Sequence, residues 1–224
     1  DYYITGGEAV LSPEIFGIYE AILEYGPCHS LTNGTLITKE KVQRLLEIQS
    51  RAKHNLHFRI SMEHFQEEEN DKIRGKNSFN LAVKGLRNLA EGGFSPILTV
   101  TRSWDEDENP EMEARFLDLL KANNAPQPKV KIIPEFLIGR LSETLRPYSE
   151  EERVTEKCFE NFPIESLQCA SSRMATAKGV YVCPILVEHD MARMGDTIAE
   201  TLRPFPLAHS ACYTCRVSGM TCKS

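Results

Sequence analysis

Five times in the first 145 residues a short apolar run gives way to a longer segment with helical spacing. The runs are Tyr2 to Ile4, Cys28 to Thr32, Leu56 to Ser61, Pro96 to Thr101 and Val130 to Ile133. In the third, Leu56, Phe58 and Ile60 alternate with polar residues, the period of a half-buried strand. The segments between the runs repeat apolar residues at helical spacing. Ser12 to Tyr25 carries Ile15, Phe16, Tyr19, Ile22 and Leu23 and stops at Gly26-Pro27. Thr38 opens a segment with Val42, Leu45 and Leu46, and Ser78 one with Ala82, Leu86 and Leu89 that stops at Gly92-Gly93. Pro110 to Asn123 is a fourth helix, and a short one is expected near Phe136 to Leu145. Strands that alternate with helices of this length imply a parallel sheet joined by crossovers. The chain is therefore α/β. Polar motifs recur where the strands end: Thr5-Gly6-Gly7-Glu8, Thr32-Asn33 and Ser61. In a (β/α) barrel those ends share the face that carries active sites. An open doubly wound sheet has the same periodicity, which does not separate the two.

From about Tyr148 the helical periodicity is lost, prolines and cysteines become frequent, and Glu150-Glu151-Glu152-Arg153 reads as a solvated connector. The expected organisation is a barrel-like domain over 1–149 and a small cysteine-rich extension over 150–224. The acidic loop Asp105 to Glu108 reads as a solvated turn, or as a cover for the barrel mouth.

A net charge of −6 lacks the basic surplus that nucleic-acid backbones select. No apolar run approaches the roughly 20 residues of a membrane span. The N-terminus opens in a strand rather than a secretory signal. Five of the seven cysteines crowd the last quarter of the chain. Metal binding in a reducing cytoplasm is the expectation over disulfides.

The Gly6-Gly7 pair at a strand end lets a ligand approach the backbone closely, and the carboxylate of Glu8 at the same mouth can accept hydrogen bonds from an ammonium group. Taken alone, this is also an ordinary strand-to-helix turn. With Leu31 to Thr38, Arg59-Ile60-Ser61 and Asp71 to Phe79, its order and spacing resemble the radical S-adenosylmethionine (SAM) superfamily. The resemblance implies a partial TIM-like barrel. It implies that Gly6, Gly7 and Glu8 bind the methionine ammonium, although Ala9 stands where proline is usual. Ser61 then contacts the ribose or carboxylate, and Arg74, in Ile73-Arg74-Gly75, pairs with the SAM carboxylate. Met62-Glu63-His64 departs from the usual Leu-Asp-Gly. Arg74 also reads as a surface arginine beside a turn glycine. Asn33 either touches SAM or substrate or stabilises the turn before Gly34. No role is assigned to His57, Arg59 or His64.

Cys169, Gly179, Cys183, the Cys212-x-x-Cys215 pair and Cys222 follow the pattern of the auxiliary-cluster extensions called SPASM or twitch. The resemblance implies one auxiliary [4Fe–4S] cluster held by Cys169, Cys183 and two or more of Cys212, Cys215 and Cys222. Spacing alone admits a structural zinc site equally well. Cys28 and Cys158 are not expected to be ligands.

No CxxxCxxC triplet occurs, so by the resemblance the chain starts at the second barrel strand, and the SAM-binding cluster loop belongs to a segment outside it. This chain alone is not expected to cleave SAM. The intact protein is expected to generate a 5′-deoxyadenosyl radical that abstracts hydrogen from a peptide or small-molecule substrate, with flavodoxin or ferredoxin as electron donor. The alternative is a non-catalytic barrel remnant with a structural zinc or iron–sulfur domain that acts as a binding module.

Overall fold

The computed structural model describes residues 1–218 and falls into two compact units, Asp1–Ile133 and Pro134–Ser224. The first unit contains five parallel strands: β1 (Tyr2–Ile4), β2 (Cys28–Thr32), β3 (Leu56–Met62), β4 (Ile97–Thr101) and β5 (Lys129–Ile133). Their spatial order is the chain order, β1-β2-β3-β4-β5. A doubly wound sheet reverses direction at a switch point. A sheet that never reverses, with crossovers of one hand, puts every helix on one face and curls toward a barrel.

The packing follows that rule. α1 (Ile15–Leu23), α2 (Lys39–Arg51), α4 (Ser78–Glu91) and α5 (Asn109–Ala122) cover one sheet face. One core joins Tyr19, Leu45, Leu86 and Phe116 from these helices to Phe58, Ile60, Met62, Leu98 and Val100 from the strands. Leu56, Phe58, Ile60 and Met62 are all buried, the period-2 face that the sequence predicts. Tyr19 hydroxyl bonds Ser30 Oγ at 2.6 Å inside this core.

The other face carries polar side chains. Tyr3, His29 and His57 are register partners on β1, β2 and β3 and stack ring on ring, each step 4.7 Å between centroids. Arg59, two residues beyond His57, donates from Nε to Thr99 Oγ1 at 3.1 Å.

Two elements depart from expectation. An additional helix, α3 (Glu67–Arg74), fills the segment before α4. Its residues are almost all charged, so no apolar stripe announces it. The N-terminus of α4 is capped not by Ser78 but by Asp71. Asp71 Oδ1 accepts from Phe79 N at 2.8 Å and from Ser78 Oγ at 2.9 Å.

The second unit begins sixteen residues before the expected boundary at 150. Pro134 follows directly on β5, and Phe136, Ile138 and Tyr148 pack in the second unit's core. Tyr148 hydroxyl bonds Leu137 N and Thr214 Oγ1, at 3.2 and 2.7 Å. A composition shift marks where cysteines begin, not where the chain changes cores. Short elements build this unit: α6 (Arg140–Thr144), α7 (Gln168–Ser171), the antiparallel strands β6 (Met174–Thr176), β7 (Gly179–Tyr181) and β8 (Arg193–Gly195), and α8 (Ser210–Ser218).

Candidate functional site

The C-terminal ends of β1 and β2 are joined by the carboxylate of Glu8. Its Oε1 accepts from Thr32 Oγ1 at 2.7 Å and from Val10 N at 3.2 Å. Its Oε2 accepts from Asn33 N at 2.7 Å. A carboxylate offers about four acceptor sites, so one remains for a ligand ammonium. Gly6 sits at φ +148°, a conformation that favours glycine, and a Cβ on Gly6 or Gly7 would meet nothing within 4 Å. The backbone there is open to a ligand. Sequence reasoning named Glu8 but missed Thr32, whose hydroxyl also accepts from Gly34 N at 3.0 Å.

Asn33 turns inward. Its Oδ1 accepts from Thr35 N and Thr35 Oγ1, at 2.9 and 2.7 Å, which is the turn-stabilising role. Thr32 pairs with Ile60, so Ser61 is level with Asn33 on the neighbouring strand. Ser61 is half-buried and pairs across to Thr99.

Arg74 ends α3, and Glu63 draws it to the end of β3: Nη2 donates to Oε1 at 2.6 Å, both side chains mostly covered. The Glu63 backbone is fixed in turn, its N–H donating to Asn70 Oδ1 at 3.0 Å. Asn70 is buried and donates to Ser78 Oγ at 3.1 Å. Arg74 Nε is buried and has no hydrogen-bond partner among the described residues. So Gly6, Gly7, Glu8, Asn33, Ser61 and Arg74, scattered over some seventy residues, lie at one end of three adjacent strands.

The face below this end carries two histidines, Arg59 and Lys131. Burial lowers the His29 imidazole to about 4, with His57, Arg59 and Lys131 acting in the same direction. A cleft lined by Asn55, His57, Ile97 and Lys129 opens at the opposite, N-terminal ends of the strands and contains none of the six residues.

In the second unit, Cys169 on α7, Cys183 after β7, and Cys212 and Cys215 on α8 line one apolar cavity with Val182, Leu186 and Phe205. The CxxC pair lies within a helix, where i and i+3 share a face. Burial raises the thiols of Cys169 and Cys212, the latter to about 11, and the neighbouring Cys183 adds to the effect on Cys212. No three His, Cys, Asp or Glu side chains among the described residues converge closely enough to hold a single ion. Four thiols around one cavity are the donor set that an iron–sulfur cluster or a zinc ion takes. Cys222 lies outside the described residues. Cys28 is fully buried in the first core, and Cys158 lies off this cavity, its Sγ accepting from Thr155 N at 3.4 Å. None of the six described cysteines forms a disulfide, and no helix among the described residues is long and apolar enough to cross a membrane.

Residues 2–120 match the Radical SAM superfamily. Mycofactocin maturase MftC of Mycobacterium tuberculosis (strain CDC 1551 / Oshkosh) is 34% identical over 99 residues, 42% of this chain and 23% of that protein. MftC of Mycolicibacterium smegmatis is 28% identical over 158 residues, 67% of this chain and 37% of that protein. The chain thus spans well under half the length of these curated relatives. Among solved structures, Streptococcus suis SuiB has the same fold, with a TM-score of 0.55 and 12% identity over 92% of this chain and 55% of that one. SuiB has also been solved bound to the precursor peptide SuiA, a match with TM-score 0.47 and 14% identity over 66% of this chain and 31% of that one. On the profile that spans more than half of its length, and with the strand-end motifs in register on one sheet, the chain belongs to the radical SAM superfamily.

Proposed function

We propose that this chain is the SAM-holding and auxiliary-cluster portion of a radical SAM enzyme that modifies a peptide. The observation that carries the reading is the convergence of Glu8 and Arg74 on one strand-end face, the first with an acceptor site left, the second with a buried donor unsatisfied. Those are the two groups that a zwitterionic amino-acid moiety requires. Glu8 takes the ammonium beside the open Gly6-Gly7 backbone, Arg74 takes the carboxylate, and Ser61 is placed for the ribose. SAM would supply a 5′-deoxyadenosyl radical for hydrogen abstraction from the substrate, given an electron from a [4Fe–4S] cluster that a flavodoxin or ferredoxin reduces. The residues of this chain orient SAM and exclude water from it.

Cys169, Cys183, Cys212 and Cys215 are the residues that would hold an auxiliary [4Fe–4S] cluster, of the SPASM or twitch type, which passes electrons or helps hold substrate. The raised thiols of Cys169 and Cys212 must lose protons on loading, so affinity rises with pH. The peptide substrate is favoured by relatives that are maturases. A purely binding role finds no such support.

The test uses the full-length protein, reconstituted without oxygen and given SAM, reductant and a precursor peptide from its own genomic neighbourhood. The expected result is 5′-deoxyadenosine formation together with a mass change in the peptide. Iron-loaded protein that yields neither would overturn the reading.

A further inference from the structure

The guanidinium of Arg74 is half used. Its Nε and Nη2 lie along one edge, spaced to meet both oxygens of a single carboxylate. Glu63 places one oxygen on Nη2, at 2.6 Å. Nε, buried against the same surroundings, meets no partner among the described residues. The Glu63 main chain is held in place. Asn70 holds its N–H at 3.0 Å, and Asn70 is itself buried and tied to Ser78. The side chain reaches Arg74 from a fixed base and engages only one of the two donors. A free carboxylate in the same place has no such tether and can satisfy both.

We propose that Glu63 is a positioning residue for Arg74: an internal carboxylate that holds the guanidinium ready at the strand end and is displaced when a ligand carboxylate takes the Nε–Nη2 edge. The inference rests on the SAM reading above and adds to it. It assigns a role to the residue at which this chain departs from the Leu-Asp-Gly of its superfamily. The displaced Glu63 is mostly covered, so the exchange opposes the binding of any ligand that carries the carboxylate and leaves ligands without it unaffected. Glu63 therefore sets a selective brake on SAM affinity.

The experiment measures binding by equilibrium dialysis to the full-length reconstituted protein, with SAM and with decarboxylated SAM, which keeps every group except the carboxylate. Glu63→Gln is expected to tighten SAM binding by about fivefold, the order of a partly exposed ion pair, with decarboxylated SAM changed by less than about twofold. Glu63→Asp keeps the charge but withdraws it by one methylene, and is expected to tighten SAM in the same direction. In an Arg74→Gln background the Glu63→Gln effect is expected to vanish. Weaker SAM binding in both Glu63 variants, an equal shift for both ligands, or no shift would overturn the proposal while leaving the SAM site standing. Wild-type protein that binds both ligands equally would instead remove the carboxylate subsite, and the proposal with it.

Discussion

The two units of this chain solve the problem of stability differently. Residues 1–133 form a parallel ladder whose buried face is shared by four helices, a single core running from Val10 to Ala125. Among the described residues, the unit from Pro134 onward has a core cluster of seven buried residues, and four partly buried cysteines line a cavity beside it. The first unit is held by apolar area removed from water, which its core supplies in quantity. The second is made of elements of three to nine residues and has too small a core to be stable without help. On the proposed function, a metal centre held by its cysteines supplies that help. On that reading the first unit folds on hydrophobic packing and the second on coordination.

The sharpest way to break that contrast is to remove the thiols. Cys212→Ala/Cys215→Ala in the full-length protein is expected to lose about four iron and four sulfide per chain. It is also expected to lose the second unit's cooperative transition by calorimetry, while the first unit's transition stays. A loss of about one zinc with no change in sulfide would instead make the site structural zinc, without an electron-transfer role.

The next largest effect belongs to the first unit. A Cβ on Gly85 of α4 would lie 2.0 Å from the carbonyl oxygen of Gly34, a backbone atom that cannot rotate away. Gly85→Ala is expected to destabilise the first unit by about 1–3 kcal/mol in urea unfolding. It also pushes on the turn that carries Asn33 and so weakens SAM binding, with the iron content of the second unit unchanged.

The smallest effect is a titration. Folding holds His29 neutral, its pKa lowered from 6.5 to about 4, chiefly by burial. Between those values the unfolded chain binds the extra proton, so stability is complete above pH 6.5 and falls as the pH drops toward 4. His29→Gln is expected to flatten part of that slope in unfolding midpoints measured from pH 7 to 4. Burial lowers His57 as well, so part of the slope remains. A slope identical to wild type would show that His29 is not held neutral by the fold.

The site was legible as residue types but not as partnerships. Gly6, Gly7, Glu8 and Ser61 stood out because strand ends with polar residues are where parallel folds bind ligands, and Arg74 through its Ile73-Arg74-Gly75 element. That Glu8 would bond Thr32 and Asn33, or that Arg74 would meet Glu63, depends on strand register and on where α3 ends. The cap of α4 by Asp71 was illegible for the same reason: it comes from seven residues upstream rather than from the helix start. α3 itself was missed because a helix of charged residues has no apolar stripe to reveal it.

By itself the sequence determined the strand-and-helix alternation, the buried face of β3, the crowding of cysteines and the superfamily. These depend on local spacing and residue chemistry, which a linear chain displays in full. Only the tertiary structure decided that the sheet keeps chain order instead of reversing, because both topologies bury the same faces with the same periodicity. It likewise placed the passage between cores at Pro134, since which core a side chain joins is a matter of contacts between residues far apart in the chain.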